Sequence, residues 1–485
     1  MTQAIPSCTF VIFGISGDLA ARKLIPALYR LHRRELLAPE TRIVGFARRD
    51  WGDTQLRQEA QRALETFAAE ALDETWPSFA ARLSFVQGSY DDMDSYRALS
   101  AHLDQLDTAA GRIFYTATPP STYTEIVRSL RVSGLNRHEG FVRLVVEKPF
   151  GHDLASAQAL NREIERSFAE SEVYRIDHYL AKETAQNIAV LRFANTIFEP
   201  LWSNQYVDHV QITMAEDLGI EGRGSFYEEA GVLRDVFQNH LLQLVALIAT
   251  EPPARFDAQS VRDEKVKVLR AARCVAPERA VKGQYVSAGK LKGYREEPGV
   301  APDSRQATYG AAEFGIDNWR WAGVPFFVRS GKRLKAKVSE IVLHYQTPPH
   351  IPFALERPVV ADQLILRLQP NEGISLRLDA KAPGQGIKLR QVSLDFAYDQ
   401  QFVRSNPDAY ETLLQDILMG DPTLFMRSDE VEEQWKIVTP LLEAWDNDDD
   451  PAFYAAGSWG PKEADQLLAG RGRRWHSPDN DKSGA

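Results

Sequence analysis

Four stretches of this chain carry residue types at spacings that could do chemistry. Gly14-Ile15-Ser16-Gly17-Asp18-Leu19-Ala20 follows a short apolar run and opens a helical pattern. Glycines there let the backbone turn tightly, and a helix N-terminus offers N–H groups to an anion, so the loop has the mechanics of a phosphate cradle. Its G-x-x-G-x-x-A spacing is a partial dinucleotide fingerprint, and a ligand-free strand–helix turn would read the same way. Next, Gly45-Phe46-Ala47 runs into Arg48 and Arg49. A site for NAD places Asp or Glu near here for the ribose 2′-hydroxyl, whereas arginine accommodates a 2′-phosphate. The two arginines, Arg48 the nearer, favour NADP, and Asp50 leaves some use of NAD open. Glu147-Lys148-Pro149-Phe150-Gly151 closes a strand pattern at the end where open α/β sheets bind ligands, so Lys148 could orient a cofactor or substrate oxygen. Finally, Arg175 to Glu183 (RIDHYLAKE) packs six ionisable residues into nine positions, as either a charged helix start or a binding cluster.

The elements that must position these residues read as alternating strands and helices. Strands are expected at Thr9–Phe13, Arg42–Ala47, Leu83–Gln87, Arg112–Thr118 and Phe141–Val146. Helical spacing fills Leu19–Leu31, Asp53 to about Leu72, Tyr96–Leu106 and Thr122–Ser133, with Pro26 marking a break or a helix start. Strands alternating with helices argue βαβ units and a parallel sheet. Beyond about residue 175 the style changes. Ser225 to Glu228 has capping-box spacing and predicts one long helix to about Ala249. Extended runs follow or precede it at Val207–Ala215, Pro325–Arg329, Glu340–Gln346, Gln363–Leu368, Ile374–Leu378 and Leu389–Tyr398. Several alternate apolar with polar, as antiparallel sheets do. The expectation is a Rossmann-type α/β dinucleotide-binding domain over residues 1–176, then an α+β domain with a large, mainly antiparallel sheet over 177–485.

Composition bounds the function. With 485 residues, 44% hydrophobic and 26% charged, the chain is an ordinary globular one, long enough for several cores. Its net charge of −10 and the lack of a dense Lys/Arg run argue against a nucleic-acid partner. Two cysteines, Cys8 and Cys274, make no disulfide framework, which fits a reducing cytoplasm. The longest apolar stretch, Leu241–Ala249, falls well short of the ~20 residues a membrane span needs, so no membrane partner is expected. Asp446 to Asp450 mimics a cation loop, but Pro451 stands where such a loop needs glycine, and no metal is expected.

RIDHYLAKE closely resembles the RIDHYLGKE signature of the glucose-6-phosphate dehydrogenase family. The likeness runs along nearly the whole chain. GISGDLAARKL (14–24) resembles the family's cofactor loop and EKPFG (147–151) matches unchanged. AEDLGIEGRGSFYEEAGVLRDVFQNH (215–240), LKGYREEPGV (291–300) and NWRWAGVPFFVRSGKRL (318–334) are similar to further family segments.

The resemblance implies an NADP-dependent enzyme that oxidises C1 of glucose 6-phosphate to 6-phosphoglucono-δ-lactone. It implies His240 as general base with Asp177 as its carboxylate partner. It gives His178, Tyr179 and Lys182 to the 6-phosphate, and Glu216, Asp235 and Lys332 to the sugar. Lys148 would lie between sugar and nicotinamide. The loop residues Gly14, Ser16, Gly17, Asp18 and Leu19, with Arg48, Tyr90 and Asp91, would form the cofactor site. Lys337 matches a second substrate lysine found in part of the family. Relatives of this kind form homodimers or homotetramers. Such residue types suit the reaction: a histidine has a pKa near the working pH, and a phosphate dianion wants cations and hydrogen-bond donors.

The chain departs from the family in places. Ala181 replaces the signature glycine, one methyl larger beside the phosphate residues. A Thr-rich stretch becomes RQATYGA (305–311). At an ideal 3.6 residues per turn, Asp235 and His240 would stand about 140° apart on their helix. Two rival readings stay open at this point. A glucose–fructose oxidoreductase-like enzyme would share the fold but not need RIDHYLAK. A catalytically silent sensor would be expected to lose its base first.

Overall fold

The computed structural model describes residues 5–68, 72–106, 111–353, 355, 357–402, 408–447, 450–469 and 472–478. The acidic run at Asp446–Asp450 falls partly outside them, and residues 479–485 wholly so. The chain forms two compact units. The first draws its described residues from Met1–Lys182, Ala254–Arg262 and Asn406–Glu432, so two stretches far along the sequence return to it.

In the first unit, β1 (Thr9–Phe13), β2 (Arg42–Ala47), β3 (Leu83–Gln87), β4 (Gly111–Thr116), β5 (Phe141–Val146) and β6 (Val173–Ile176) are parallel, in the order β3-β2-β1-β4-β5-β6. This is the doubly wound order whose direction of winding reverses between β1 and β4. The strands are buried on both faces, which is why they read as nearly unbroken apolar runs. A short antiparallel strand, β16 (Phe425–Met426), extends the sheet beside β6. The helix Ala409–Met419 adds Leu413, Leu414, Ile417 and Leu418 to the same core, and Arg143 donates to the carbonyl of Leu418 at 2.8 Å. Pro26 does mark a break. An i→i+5 turn over Ala20–Leu24 passes into an α-helix, Ile25–Arg33, with proline in its first turn.

The second unit is built on a sheet of ten strands among the described residues, nine in its main path and one to the side. Its members are β7 (Val207–Ala215), β8 (Ala272–Cys274), β9 (Ala280–Val286), β10 (Tyr309–Ile316), β11 (Phe326–Gly331), β12 (Val338–Tyr345), β13 (Gln363–Gln369), β14 (Gly373–Lys381), β15 (Leu389–Ala397) and β17 (Ala452–Ala455). Nine of them lie in the order β15-β14-β13-β12-β7-β11-β10-β9-β17, with β8 pairing β10 to the side. All pairings are antiparallel except β7 with β11 and β9 with β17. Among the described residues no helix is long and apolar enough to cross a membrane.

The long helix expected from Ser225 to Ala249 is not one helix. It begins at Gly224 with no side-chain cap, so the capping-box spacing is not used. It breaks at Gly231, where φ is +55° and ψ −179°. An i→i+5 segment follows over Leu233–Leu241, and then a buried α-helix, Leu242–Ala249. The break has a tertiary cause. The N–H of Val232 donates to the carbonyl of Ala307 at 2.9 Å instead of closing the helix ladder.

Candidate active site

Because the strands of the first unit are parallel, their carboxyl ends share one edge of the sheet. Gly14 leaves β1 there, Arg48 leaves β2, Tyr90 and Asp91 follow β3, Lys148 follows β5 and Asp177 follows β6. Open α/β sheets bind ligands at that edge, near the β1/β4 reversal. The Gly14 N–H donates to the carbonyl of Phe46 at 2.8 Å, and the Gly17 N–H to the carbonyl of Gly14 at 2.9 Å. Gly14 has φ +80°, and a Cβ on it would collide with the carbonyl oxygen of Ala117 beyond β4. The loop therefore needs glycine on two grounds. No side chain caps the helical turn that follows Leu19, which leaves its first N–H groups to an outside acceptor. Asp18 is exposed and pairs with Arg22 at 2.6 Å, while Ser16 is half-buried.

Arg48 is exposed, and its charge acts on both Tyr90 and Asp91. Ala47 lies opposite Gln87 across β2 and β3, which brings the residues after each strand together. Burial raises the Tyr90 phenol, and its ring packs on Phe13 and Phe46 with centroids 6.4 and 6.2 Å away. The Asp91 carboxyl is held below its ordinary range, first by the hydrogen bond from Ser89 Oγ at 2.6 Å. Lys148 is half-buried and its bond to Pro149 is cis. Beside it Glu147 is buried, accepting from Tyr115 at 2.6 Å and Tyr410 at 3.2 Å. Burial raises its carboxyl, and both phenols pull the other way. Sequence alone does not reveal this carboxylate's partners, since Tyr410 lies far along the chain.

At the end of β6, Arg175 is fully buried on Glu170 at 2.6 Å and Asn161 at 3.2 Å, so it is a structural member of its motif. Asp177 is also fully buried, and its Oδ1 accepts the N–H of Tyr179 at 2.9 Å. That bond makes a tight turn, leaving His178, Tyr179 and Lys182 half-exposed. The Lys182 ammonium stands 3.7 Å from the Tyr179 ring centroid, and the His178 and Tyr179 rings are 5.1 Å apart. Three donors thus leave one short turn together. The Ala181 methyl is buried in the hydrophobic core of this unit.

In the second unit the parallel pairing of β7 with β11 does the positioning. Ala215 lies opposite Gly331, so Glu216 and Lys332 leave their strands side by side. Lys332 is 3% exposed, with Nζ 2.6 Å from Glu216 Oε2 and 3.3 Å from Asp235 Oδ2. Burial alone would lower its pKa, but Asp235 and Glu216 outweigh it and hold the ammonium above its ordinary value. Its backbone is fixed by distant residues: its N–H donates to Thr308 at 3.0 Å and its carbonyl accepts from Tyr454 at 2.6 Å. Those two supports lie beyond sequence reasoning, being set by sheet pairing. Lys337 is exposed, one residue before β12, whose Val338 faces Ala215, so it leaves the same sheet edge as Glu216.

Asp235 and His240 sit on the i→i+5 segment, and His240 is 3% exposed. In that winding a residue five places on returns over the first after about one turn. The separation of about 140° expected from α-helical pitch is therefore wrong. The wider helix puts Asp235 and His240 on one face, with Asp235 also on Lys332.

Residues 11–187 match the family model described as the NAD binding domain of glucose-6-phosphate dehydrogenase, and 189–476 match that of its C-terminal domain. The chain is similar to glucose-6-phosphate 1-dehydrogenase of Treponema pallidum, at 46% identity over 97% of this chain and 95% of the relative. The Bacillus subtilis enzyme of the same name is 42% identical over 98% and 99%. Among solved structures, a glucose-6-phosphate dehydrogenase in complex with its substrate glucose-6-phosphate superposes with a TM-score of 0.91 at 35% identity, covering 98% of this chain and all of the other. The enzyme from Mycobacterium avium does so with 0.88 at 40%, over 98% and 99%. Two family models that together span both units, and relatives matched over nearly their full length, mean that the chain belongs to the glucose-6-phosphate dehydrogenase family.

Proposed function

We propose that this protein oxidises glucose 6-phosphate at C1 to 6-phosphoglucono-δ-lactone and passes the hydride to NADP, the first step of the oxidative pentose phosphate pathway. The observation that carries the reading is the likeness, over nearly the whole chain, to a relative solved with glucose 6-phosphate bound.

The first unit suits the cofactor: a glycine loop with no room for a Cβ at Gly14 and an uncapped helix start fits a pyrophosphate. Gly14, Ser16, Gly17, Asp18 and Leu19 would hold it, with Arg48 on the 2′-phosphate and Tyr90 and Asp91 lining the site. When bound, NADP supplies the hydride acceptor.

His178, Tyr179 and Lys182 bind the 6-phosphate through an ammonium cation and hydrogen-bond donors. Glu216 and Asp235 accept hydrogen bonds from sugar hydroxyls, and Lys332, paired with both carboxylates, also meets the sugar. Lys337 is assigned to the substrate from the same sheet edge, and Lys148 orients the reacting oxygen. His240 takes the proton of the C1 hydroxyl on an imidazole nitrogen as the C1–H electron pair departs and the C1–O bond becomes a carbonyl. Asp177 is its partner carboxylate, stabilising the imidazolium that forms. A base placed this way contributes roughly 10²–10⁴-fold. Phosphate binding far from C1 supplies orientation, so bare glucose reacts poorly.

The same reading places the protein in the cytoplasm, where its free thiols Cys8 and Cys274 stay reduced, as a homodimer or homotetramer. The test is NADP reduction followed at 340 nm with glucose 6-phosphate and with glucose, for wild type and His240→Asn. Wild type inert toward glucose 6-phosphate sinks the function. A variant at full rate removes His240 as base.

A further inference from the structure

The helix that carries Asp235 and His240 is broken just before them, and a side chain from elsewhere in the unit completes the break. At Gly231 the carbonyl of Glu228 and the N–H of Val232, which an α-helix would join, are parted. Each finds a substitute on one segment. The Val232 N–H donates to the Ala307 carbonyl at 2.9 Å, and Gln306 Nε2 donates to the Glu228 carbonyl at 2.6 Å. Gln306 Oε1 accepts the N–H of Ala307 at 3.0 Å and fills the space a Cβ on residue 231 would need.

The segment is itself anchored. Ser304 Oγ donates to the Glu228 carboxylate at 2.6 Å, and Gln284 Nε2 donates to the carbonyls of Ser304 and Gln306 at 3.0 and 2.9 Å. Two residues beyond Gln306, the carbonyl of Thr308 accepts the Lys332 N–H at 3.0 Å. One short stretch therefore sets both the Asp235/His240 helix and the backbone of Lys332.

We propose that Gln306 is a positioning residue, whose amide replaces the helix's own hydrogen bond at Gly231 and so sets the rotation at which Leu233–Leu241 presents Asp235 and His240. The proposal rests on the roles given to those two residues above. A glycine at 231 is free to take helical angles as well as its present ones. Without the amide, the Glu228 carbonyl lacks its partner and can recover one by taking back the Val232 N–H. That closes the ladder, and it turns every residue after it. Gln306 holds the open form against this alternative while touching neither substrate nor cofactor.

The test compares wild type with Gln306→Met, which keeps length and volume without the amide, and Gln306→Asn, which keeps an amide one methylene short. Circular dichroism at the assay temperature reports folding, and fluorescence titration reports NADP affinity. Steady-state kinetics with glucose 6-phosphate give kcat, KM and the acid limb of the pH profile. The expected result is a folded Gln306→Met that loses on the order of 10²-fold in kcat, with a displaced acid limb and unchanged NADP affinity, and Gln306→Asn between the two. If Gln306→Met does not fold, Gln306→Asn is read by the same criteria. A folded variant whose kcat and acid limb stay within about twofold of an active wild type overturns the role of Gln306 alone. A wild type with no turnover overturns the function and this proposal together.

Discussion

Glu216 and Lys332 are neighbours because β7 and β11 run parallel in a sheet whose other pairings near them are antiparallel. Ala215 faces Gly331, and the next residues of each strand meet with Nζ and Oε2 2.6 Å apart. Asp235 completes the group at 3.3 Å. Lys332→Met would leave two carboxylates facing one another. Breaking a buried charge group in this way costs about 3–5 kcal/mol, toward the lower end here because Glu216 is partly exposed. The expected outcome is a lower Tm and a large loss of kcat/KM for glucose 6-phosphate. Lys332→Met with Asp235→Asn should recover part of the Tm and none of the activity. A double variant no more stable than the single one refutes the charge argument.

Arg48 stands at the end of β2, where its charge reaches Tyr90 and Asp91. A charge-assisted hydrogen bond is worth about 1.5–3 kcal/mol. Arg48→Ala should therefore weaken NADP by roughly tenfold or more while barely altering NAD, which has no 2′-phosphate. Calorimetric titration with both dinucleotides decides it. Equal losses would take Arg48 out of the 2′-phosphate role.

Gly14 and Gly134 both have positive φ, +80° and +76°, but a Cβ at Gly134 meets nothing within 4 Å. Gly134→Ala should cost only the left-handed backbone penalty, roughly 1–2 kcal/mol. Gly14→Ala must also push back the Ala117 carbonyl, so it should lower Tm further and weaken NADP. Similar Tm values for the two variants would show that the loop yields easily.

How much of this was readable depends on what each feature rests on. β1, β2, β3 and β5 are legible to the residue, since central parallel strands must be apolar on both faces and end in turn residues. The glycine loop is legible for the same local reason. The strands β9, β10 and β17 escape notice: β17 pairs with β9 from far off in sequence, and Gly310 and Gly315 weaken the strand pattern of β10. The Glu216–Lys332–Asp235 group has no local signature either, and only family motifs single out its members. The Ser225 capping pattern misleads because Gly231 and the 304–308 segment override it, and the Asp235/His240 spacing misleads because the local pitch is not that of an α-helix.

Asp416 lies near the C-terminal end of the helix Ala409–Met419, and burial, helped by the charge of Asp421, raises its pKa to about 7. A helix C-terminus adds a further unfavourable field for a carboxylate. The native state thus keeps a proton that the unfolded chain releases above about pH 4. Where the native state binds more protons, stability falls as pH rises, here between about pH 4 and pH 7, and is level beyond. Asp416→Asn removes the titration and keeps the shape. Its Tm should match wild type near pH 4 and exceed it by on the order of a few degrees at pH 8. Thermal unfolding across that range tests this, and a Tm difference that does not grow with pH would show that Asp416 ionises in the native state as it does in the unfolded chain.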